Sequence, residues 1–109
     1  MSFTVRELRK AKADKRCIFE WLYERSRPGA IAWLDAYDKM IERLKEHADS
    51  FAEANENAEL DVEVKQALFK TRRGRVYRAL FVIESNDVFV LRVRGPGQAP
   101  VDASDIEPP

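Results

Sequence analysis

The sequence has few of the residues that build metal centres, disulfides or catalytic triads. Cys17 is its one cysteine and His47 its one histidine among 109 residues. A single cysteine excludes an internal disulfide and a thiolate metal cluster. Zinc sites and serine-type triads usually need more than one such ligand or base. The four glycines form no phosphate-cradling motif. We therefore expect neither a metal ion nor a cofactor.

Long apolar segments are also missing. No run approaches the roughly 20 residues that a membrane-spanning helix needs, and residues 1–10 lack the apolar core of a secretory signal. Hydrophobic residues make up 45% of the chain and charged residues 35%, which is typical of a soluble globular protein. We therefore expect a single cytoplasmic domain, residues 1–109, that does not contact a membrane.

The net charge is zero, but acids and bases occupy different parts of the sequence. Residues 64–83 contain no acid, whereas residues 42–63 are dominated by acids. The basic residues of this region and of the segment that follows are Lys65, Lys70, Arg72, Arg73, Arg75, Arg78, Arg92 and Arg94. A neutral total can therefore hide a basic functional face.

The first half of the sequence predicts a short strand and two helices. Residues Phe3–Leu8 alternate weakly, as a strand does, and Ala11–Arg25 repeats apolar residues every four positions. Residues 26–29 (Ser-Arg-Pro-Gly) end this helix and start a second one, because proline is favoured in a first turn. The second helix carries an apolar stripe at spacings of four and three: Ala30, Leu34, Tyr37, Ile41, Leu44 and Ala48. The two helices should form a helical hairpin.

The second half predicts three strands after an acidic loop, Asp49–Asp61. The strands are expected at Val62–Phe69, Arg75–Ile83 and Val88–Arg94, with residues 85–87 as a hairpin turn. The order β-α-α-β-β-β places both helices on one face of a sheet. Residues 95–109 begin with Gly-Pro-Gly and are rich in proline and acid, so we expect a loosely held tail.

Strand alternation predicts which side chains face the helices. Those expected to pack on the helices are Tyr77, Phe81, Phe89 and Leu91. Arg78, Arg92 and Arg94 are expected to point together from the opposite face. Trp21 and Trp33 are interpreted as packing residues of the hairpin, and Cys17 as a small buried hydrophobe.

Three segments, in this order and spacing, resemble a known family. They are residues 60–69 (LDVEVKQALF), 72–81 (RRGRVYRALF) and 88–94 (VFVLRVR). With the helical hairpin in front, they are similar to the RelE/ParE superfamily of toxins from bacterial type II toxin–antitoxin modules. The resemblance covers about Phe3 to Asp105, and the Tyr77-Arg78 pair is its most recognisable part. It implies an α+β fold, a small twisted antiparallel sheet with the N-terminal helical hairpin on one face. It also implies a cognate antitoxin that wraps and neutralises the toxin.

The family contains two kinds of toxin. RelE-like members cleave messenger RNA in the ribosomal decoding site without a metal, and ParE-like members block DNA gyrase. Arg78 matches an arginine of the RelE-like nucleases, and a guanidinium can stabilise charge that develops on a phosphate. The open-face positions where the nucleases place lysines hold Gln66 and Leu68. Residues 95–102, directly after the last strand, offer no acid or base apart from Asp102. The nuclease pattern is therefore incomplete.

Three functional hypotheses follow from the resemblance. The first is a ParE-like toxin that inhibits growth by binding a protein target such as DNA gyrase, in the manner of plasmid-stabilisation systems. The second is a RelE-like ribosome-dependent endoribonuclease with Arg78 as its catalytic phosphate stabiliser. The third is a decayed toxin that is retained for binding its antitoxin. We expect no sequence-specific DNA binding from this chain alone.

The remaining basic residues are predicted to bind the target or the antitoxin. They are Lys70, Arg72, Arg73, Arg75, Arg92 and Arg94. Two plainer interpretations stay open: the cluster at residues 70–75 is simply a solvated turn, and the basic sheet face serves only to hold an acidic antitoxin segment.

Overall fold

The computed structural model describes residues 2–60 and 62–106 of the chain. Its main elements are β1 (Thr4–Glu7), α1 (Arg9–Arg25), α2 (Arg27–His47), β2 (Lys65–Phe69), β3 (Tyr77–Glu84) and β4 (Asp87–Arg94). Short 3-10 turns lie at Ala48–Ser50, Asn55–Glu59 and Ala103–Asp105. The predicted order β-α-α-β-β-β is confirmed. Asp61, which ends the predicted acidic loop, and residues 107–109 of the predicted tail lie outside the described residues.

The two helices meet at a sharp corner, as residues 26–29 predict. Ser26 has extended backbone, and its hydroxyl oxygen accepts the Gly29 N–H at 3.1 Å, with proline in the first turn of α2. Such an N-cap contributes about 1 kcal/mol. No helix within residues 2–60 and 62–106 is both long and apolar enough to cross a bilayer.

The buried stripe of α2 differs from the prediction at two turns. Trp33 and Met40 are fully buried, whereas their predicted neighbours Leu34 and Ile41 are only partly buried. The face that packs on the sheet is therefore rotated by one residue there. Because leucine and isoleucine follow directly on these two positions, apolar periodicity alone could not choose between the two phases.

The four strands form one sheet in the order β1-β4-β3-β2. The pairs β2–β3 and β3–β4 are antiparallel, as predicted, but β1 pairs with β4 in parallel, so the sheet is mixed. Only strands joined by a tight turn must be antiparallel. β1 is followed by two helices and meets β4 from a distant part of the chain, so its direction was not determined by any turn.

β4 contains a bulge that decides where its arginines point. The register between β3 and β4 shifts between Leu80 and Phe81, which leaves Leu91 without a cross-strand partner. A bulged residue shifts the alternation of a strand by one position. Arg92 and Arg94 therefore lie on the sheet face opposite the helices, where the sequence predicted them.

The prediction for two other β4 residues is wrong. Phe89 and Leu91 pack on the face away from the helices, whereas Tyr77 and Phe81 pack on the helix side as predicted. Phe89 pairs with Val82, whose side chain also lies on the outer face. Both faces of β4 are apolar before the bulge, so alternation did not reveal which face meets the helices.

The sheet is covered on both faces. The helix side is closed by α1 and α2 around Trp33, Tyr37 and Phe81. On the outer face, Leu80, Val82 and Leu91 pack against residues of the loop and of the segment after β4: Ala54, Val64 and Val101. That last segment, predicted to be loosely held, runs across the outer face, and its Val101 is 3% exposed.

Candidate functional site

The three strand arginines lie together on the outer sheet face, hereafter the arginine face (Arg78, Arg92 and Arg94). Arg78 and Arg94 are direct cross-strand partners, and Arg92 stands opposite Leu80 on the same face. Their side chains are only 21%, 14% and 11% exposed. The prediction that they converge is correct, but the face they share is not open.

Arg78 is held by a carboxylate from the loop before β2. Its Nη1 donates to Glu56 Oε1 at 2.6 Å, its Nη2 donates to the other oxygen of the same carboxylate, and Gln66 accepts a further bond. Glu56 also accepts the Val101 N–H at 3.0 Å and is itself buried. The hydrogen bonds from Arg78 lower the pKa of Glu56 to about 2. This bidentate, charge-assisted pair leaves few donors of Arg78 for an outside phosphate.

Arg92 and Arg94 are held by two other acids. Arg92 donates from Nε and Nη2 to Asp14 at 2.7 and 2.8 Å and from Nη1 to Asp105 at 3.3 Å. Arg94 lies 3.8 Å from Asp14 and 3.5 Å from Asp105. The hydrogen bonds with Asp14 raise the pKa of Arg92. Asp14 also accepts the Val93 N–H at 2.9 Å, at the point of β4 that β1 no longer reaches.

Glu56, Asp14 and Asp105 were not among the site residues predicted from the sequence. They lie 22, 78 and 13 positions from the arginines they bind. Asp14 sits in a helix among basic residues, and Asp105 in a segment predicted to be loose. The arginine face is therefore neutralised by the chain's own acids, and its prediction as a target-binding or antitoxin-binding surface stays a prediction.

The four basic residues of the β2–β3 turn have a different setting. Lys70, Arg72, Arg73 and Arg75 are all exposed, and none forms an ion pair within the described part of the chain. They divide between two sides of the turn. Lys70 and Arg72 line a depression of about 610 Å³ beside α2, together with Asp35, Lys39 and Arg43.

Arg73 and Arg75 line a groove between the turn and the corner of the helical hairpin, hereafter the turn groove. It has a volume of about 480 Å³ and adjoins a second cavity of about 330 Å³. The side chains that shape it are Trp21, Arg25, Trp33, Arg73, Arg75, Tyr77 and Pro96. None of the described residues that line either cavity is acidic. The groove therefore combines an aromatic floor with a basic rim.

The floor of the turn groove is built from packed rings. Trp33 meets Tyr77 edge-on at 5.5 Å between ring centroids and Phe69 at 5.7 Å. Gly95 backs the Tyr77 ring closely: a Cβ there would lie 2.7 Å from Tyr77 Cε2. Burial raises the pKa of Tyr77, against a smaller lowering by Arg75. Trp33 is buried, as predicted, yet its indole N–H has no acceptor among the described residues.

Two packing interpretations at this groove are wrong. Trp21 is 54% exposed, and one of its faces is covered by the Arg25 guanidinium, 3.6 Å from the ring centroid. Cys17, expected to be buried, is exposed and lines the adjoining cavity. The four-residue spacing from Cys17 to Trp21 marks a helix face correctly, but that face borders the groove and not the core.

Comparisons with known proteins give one similar structure. No protein-family model matches the sequence, and no curated protein matches it. Among solved structures, the chain is similar to a chain of one described as the chromosomal ParDE TA system from P. aeruginosa. The TM-score is 0.66 at 19% identity, over 86% of this chain and 96% of that chain. The α+β architecture, a helical hairpin on a four-stranded sheet, is therefore a fold that this chain shares with it.

Proposed function

We propose that this protein is the toxin of a type II toxin–antitoxin module and that it acts in the ParE-like manner, by binding a protein target. The observation that carries the proposal is the shared fold. It extends over nearly the whole of a chain whose structure is described as a ParDE TA system. The order of segments that resembles the RelE/ParE superfamily supports the same assignment independently of that structure.

The setting of Arg78 favours a protein target over RNA cleavage. A nuclease arginine must present its donors to the phosphate in the transition state. Here both terminal nitrogens of Arg78 are engaged by the Glu56 carboxylate, with Gln66 as a further acceptor. An RNA phosphate would have to displace a buried carboxylate whose pKa is lowered to about 2, and the site would then hold an uncompensated acid.

The partners of the protein follow from this proposal. The cognate antitoxin would bind and neutralise it, and DNA gyrase is the target that the ParE-like assignment implies. Growth inhibition, plasmid stabilisation and a cytoplasmic location belong to the same proposal. The predicted binding residues of the β2–β3 turn are exposed and available for such a contact.

The test is to induce the chain in bacteria without an antitoxin, follow growth, and map messenger RNA 5′ ends. We expect growth arrest without translation-dependent cuts inside codons. The purified protein should inhibit DNA supercoiling by gyrase. New cuts within codons would instead support the RelE-like alternative, and no growth arrest would support the decayed toxin.

A paired variant separates the two toxic mechanisms further. Glu56→Gln combined with Arg78→Met removes both partners of the buried ion pair, which is far less damaging than removing one. We expect the folded double variant to stay toxic, because Arg78 acts within the fold. Loss of toxicity in the folded double variant would contradict the proposal.

A further inference from the structure

Trp33, which contributes to the wall of the turn groove, has a buried indole N–H without an acceptor in the described part of the chain. Trp33 is 2% exposed, and its indole N–H has no hydrogen-bond partner in the described part of the chain. Native proteins pair nearly all their buried polar groups, and an orphaned donor costs about 1–3 kcal/mol. Trp33 is one of the residues that line the turn groove. The nitrogen is itself buried, so an occupant of the groove could reach it only if the surrounding side chains moved apart.

The rim of the groove carries positive charge that the chain does not neutralise. Arg73 and Arg75 are exposed on the turn, and neither has an ion-pair partner among the described residues. Arg25 stands across the groove, stacked on Trp21, and uses its Nη1 to bind the Trp21 carbonyl oxygen at 2.8 Å. Three guanidinium groups around a groove without acids favour a negatively charged occupant.

The walls of the groove are suited to an apolar side chain. Trp21 is about half exposed, and Tyr77 and Pro96 line both the groove and the adjoining cavity. Exposed tryptophan, tyrosine and arginine are the residues that most often dominate protein–protein binding energy. Together the two cavities offer room for more than one side chain.

We propose that the turn groove is the docking site for a peptide segment of a partner protein that carries an acidic side chain close to a bulky apolar one. The carboxylate would lie between Arg73 and Arg75, and the apolar side chain against Trp21 and Tyr77. The inference rests on the proposed function in taking the partner to be a protein of the toxin–antitoxin system or its target.

The groove fits a peptide better than a nucleic acid. Sequence-independent binding of single strands needs a long basic track and open aromatic faces for stacking. The groove is short, and one face of its most exposed ring, Trp21, is already covered by Arg25.

Peptide binding to the groove can be measured by the intrinsic tryptophan fluorescence of the protein. Trp21 and Trp33 are the chain's only two tryptophans, so their emission reports on this site. The probes are capped octapeptides in a Gly-Ser background, each with one Glu and one Leu or Phe at spacings of one to four residues. Matched peptides carry Gln in place of Glu. We expect saturable emission changes with Glu peptides and binding at least about fivefold weaker for their Gln counterparts, as loss of a charged hydrogen bond implies.

The turn supplies a matched pair of variants. The double variant Arg73→Gln with Arg75→Gln should bind the Glu peptide about tenfold more weakly, because it lacks the positive charges of the rim. Lys70→Gln with Arg72→Gln removes the same charge from the same turn on the side away from the groove and should change binding less than twofold. Equal thermal unfolding of the two variants would show that the turn stays folded in both.

Several outcomes would overturn the inference. They are the absence of saturation by every Glu peptide, equal binding of Gln peptides, and equal loss in both double variants. Saturation by octauridylate that Arg73→Gln with Arg75→Gln abolishes would assign the groove to nucleic acid instead. Growth arrest is scored separately. If the protein arrests growth but binds no Glu peptide, this inference is wrong and the proposed function stands. If it binds the peptides but does not arrest growth, the proposed function is wrong and this inference stands.

Discussion

Substitution of Glu56 by glutamine should remove much of the protein's stability while changing its shape very little. Glu56 is buried, engages both terminal nitrogens of Arg78, and accepts the Val101 N–H. Its pKa falls from the usual 4.5 to about 2, which corresponds to about 3 kcal/mol in favour of the folded state at neutral pH. Since glutamine keeps one acceptor oxygen, we expect Glu56→Gln to cost about 2–3 kcal/mol.

The stabilisation that Glu56 contributes should depend on pH in a defined direction. A carboxyl group with a lowered pKa in the folded state stabilises the fold above its unfolded pKa of about 4.5, and this contribution disappears as pH falls towards 2. Urea unfolding followed by circular dichroism at pH 7, 4, 3 and 2.5 would therefore show the difference between the natural chain and Glu56→Gln shrinking as pH falls.

An exposed acid of the same loop provides the control. The Glu63 side chain is 65% exposed and lies 4.0 Å from Lys65, so Glu63→Gln should change stability by less than about 0.5 kcal/mol. Equal effects of Glu56→Gln and Glu63→Gln at pH 7 would refute the reasoning. So would a difference for Glu56→Gln that is as large at pH 2.5 as at pH 7.

Three further predictions test the packing around the site. Gly95→Ala should cost about 1–3 kcal/mol, because its Cβ would lie 2.7 Å from the Tyr77 ring; unchanged urea unfolding would mean that the ring is free to move. Asp14→Asn should cost about 2 kcal/mol by weakening the hold on Arg92, and hydrogen exchange of β4 amides should quicken, whereas an unchanged exchange pattern would contradict this role. Burial and the Glu7 carboxylate raise the pKa of Tyr37, so the folded state favours its neutral form. The free energy of unfolding should therefore fall as pH rises above about 10, where the tyrosine of the unfolded chain ionises. An ultraviolet titration in which every tyrosine ionises while the fold stays intact would contradict this prediction.

The sequence predicted the elements well where a local pattern specifies them. The helix corner at Ser26 is marked by proline and glycine in the first turn, and the β3–β4 hairpin by a polar turn between alternating strands. These signals depend on residues within a few positions of one another. The mixed sheet could not be predicted in this way, because β1 and β4 are about 80 positions apart and no turn chemistry relates them.

The site was harder to predict because it depends on which distant charges meet. Alternation placed Arg92 and Arg94 on the outer face only because a bulge at Leu91 corrects the phase, and nothing in the sequence marks that bulge. The acids that neutralise the arginine face come from a helix, a loop and the segment after β4. The exposure of Trp21 could not be predicted either, because apolar spacing marks one face of a helix whether that face borders a groove or the core.

The arginine face and the turn groove differ in the net free energy that an acidic partner would gain by binding to them. At the arginine face an incoming carboxylate would have to displace Glu56, Asp14 or Asp105, and each displaced acid would lose hydrogen bonds that it now has. The exchange replaces one charged pair with another and gives little net free energy. At the turn groove, Arg73 and Arg75 begin in contact with solvent and have no ion-pair partner among the described residues. Every polar contact made there is new, so we expect an acidic segment to prefer the groove even though the sheet carries as many arginines.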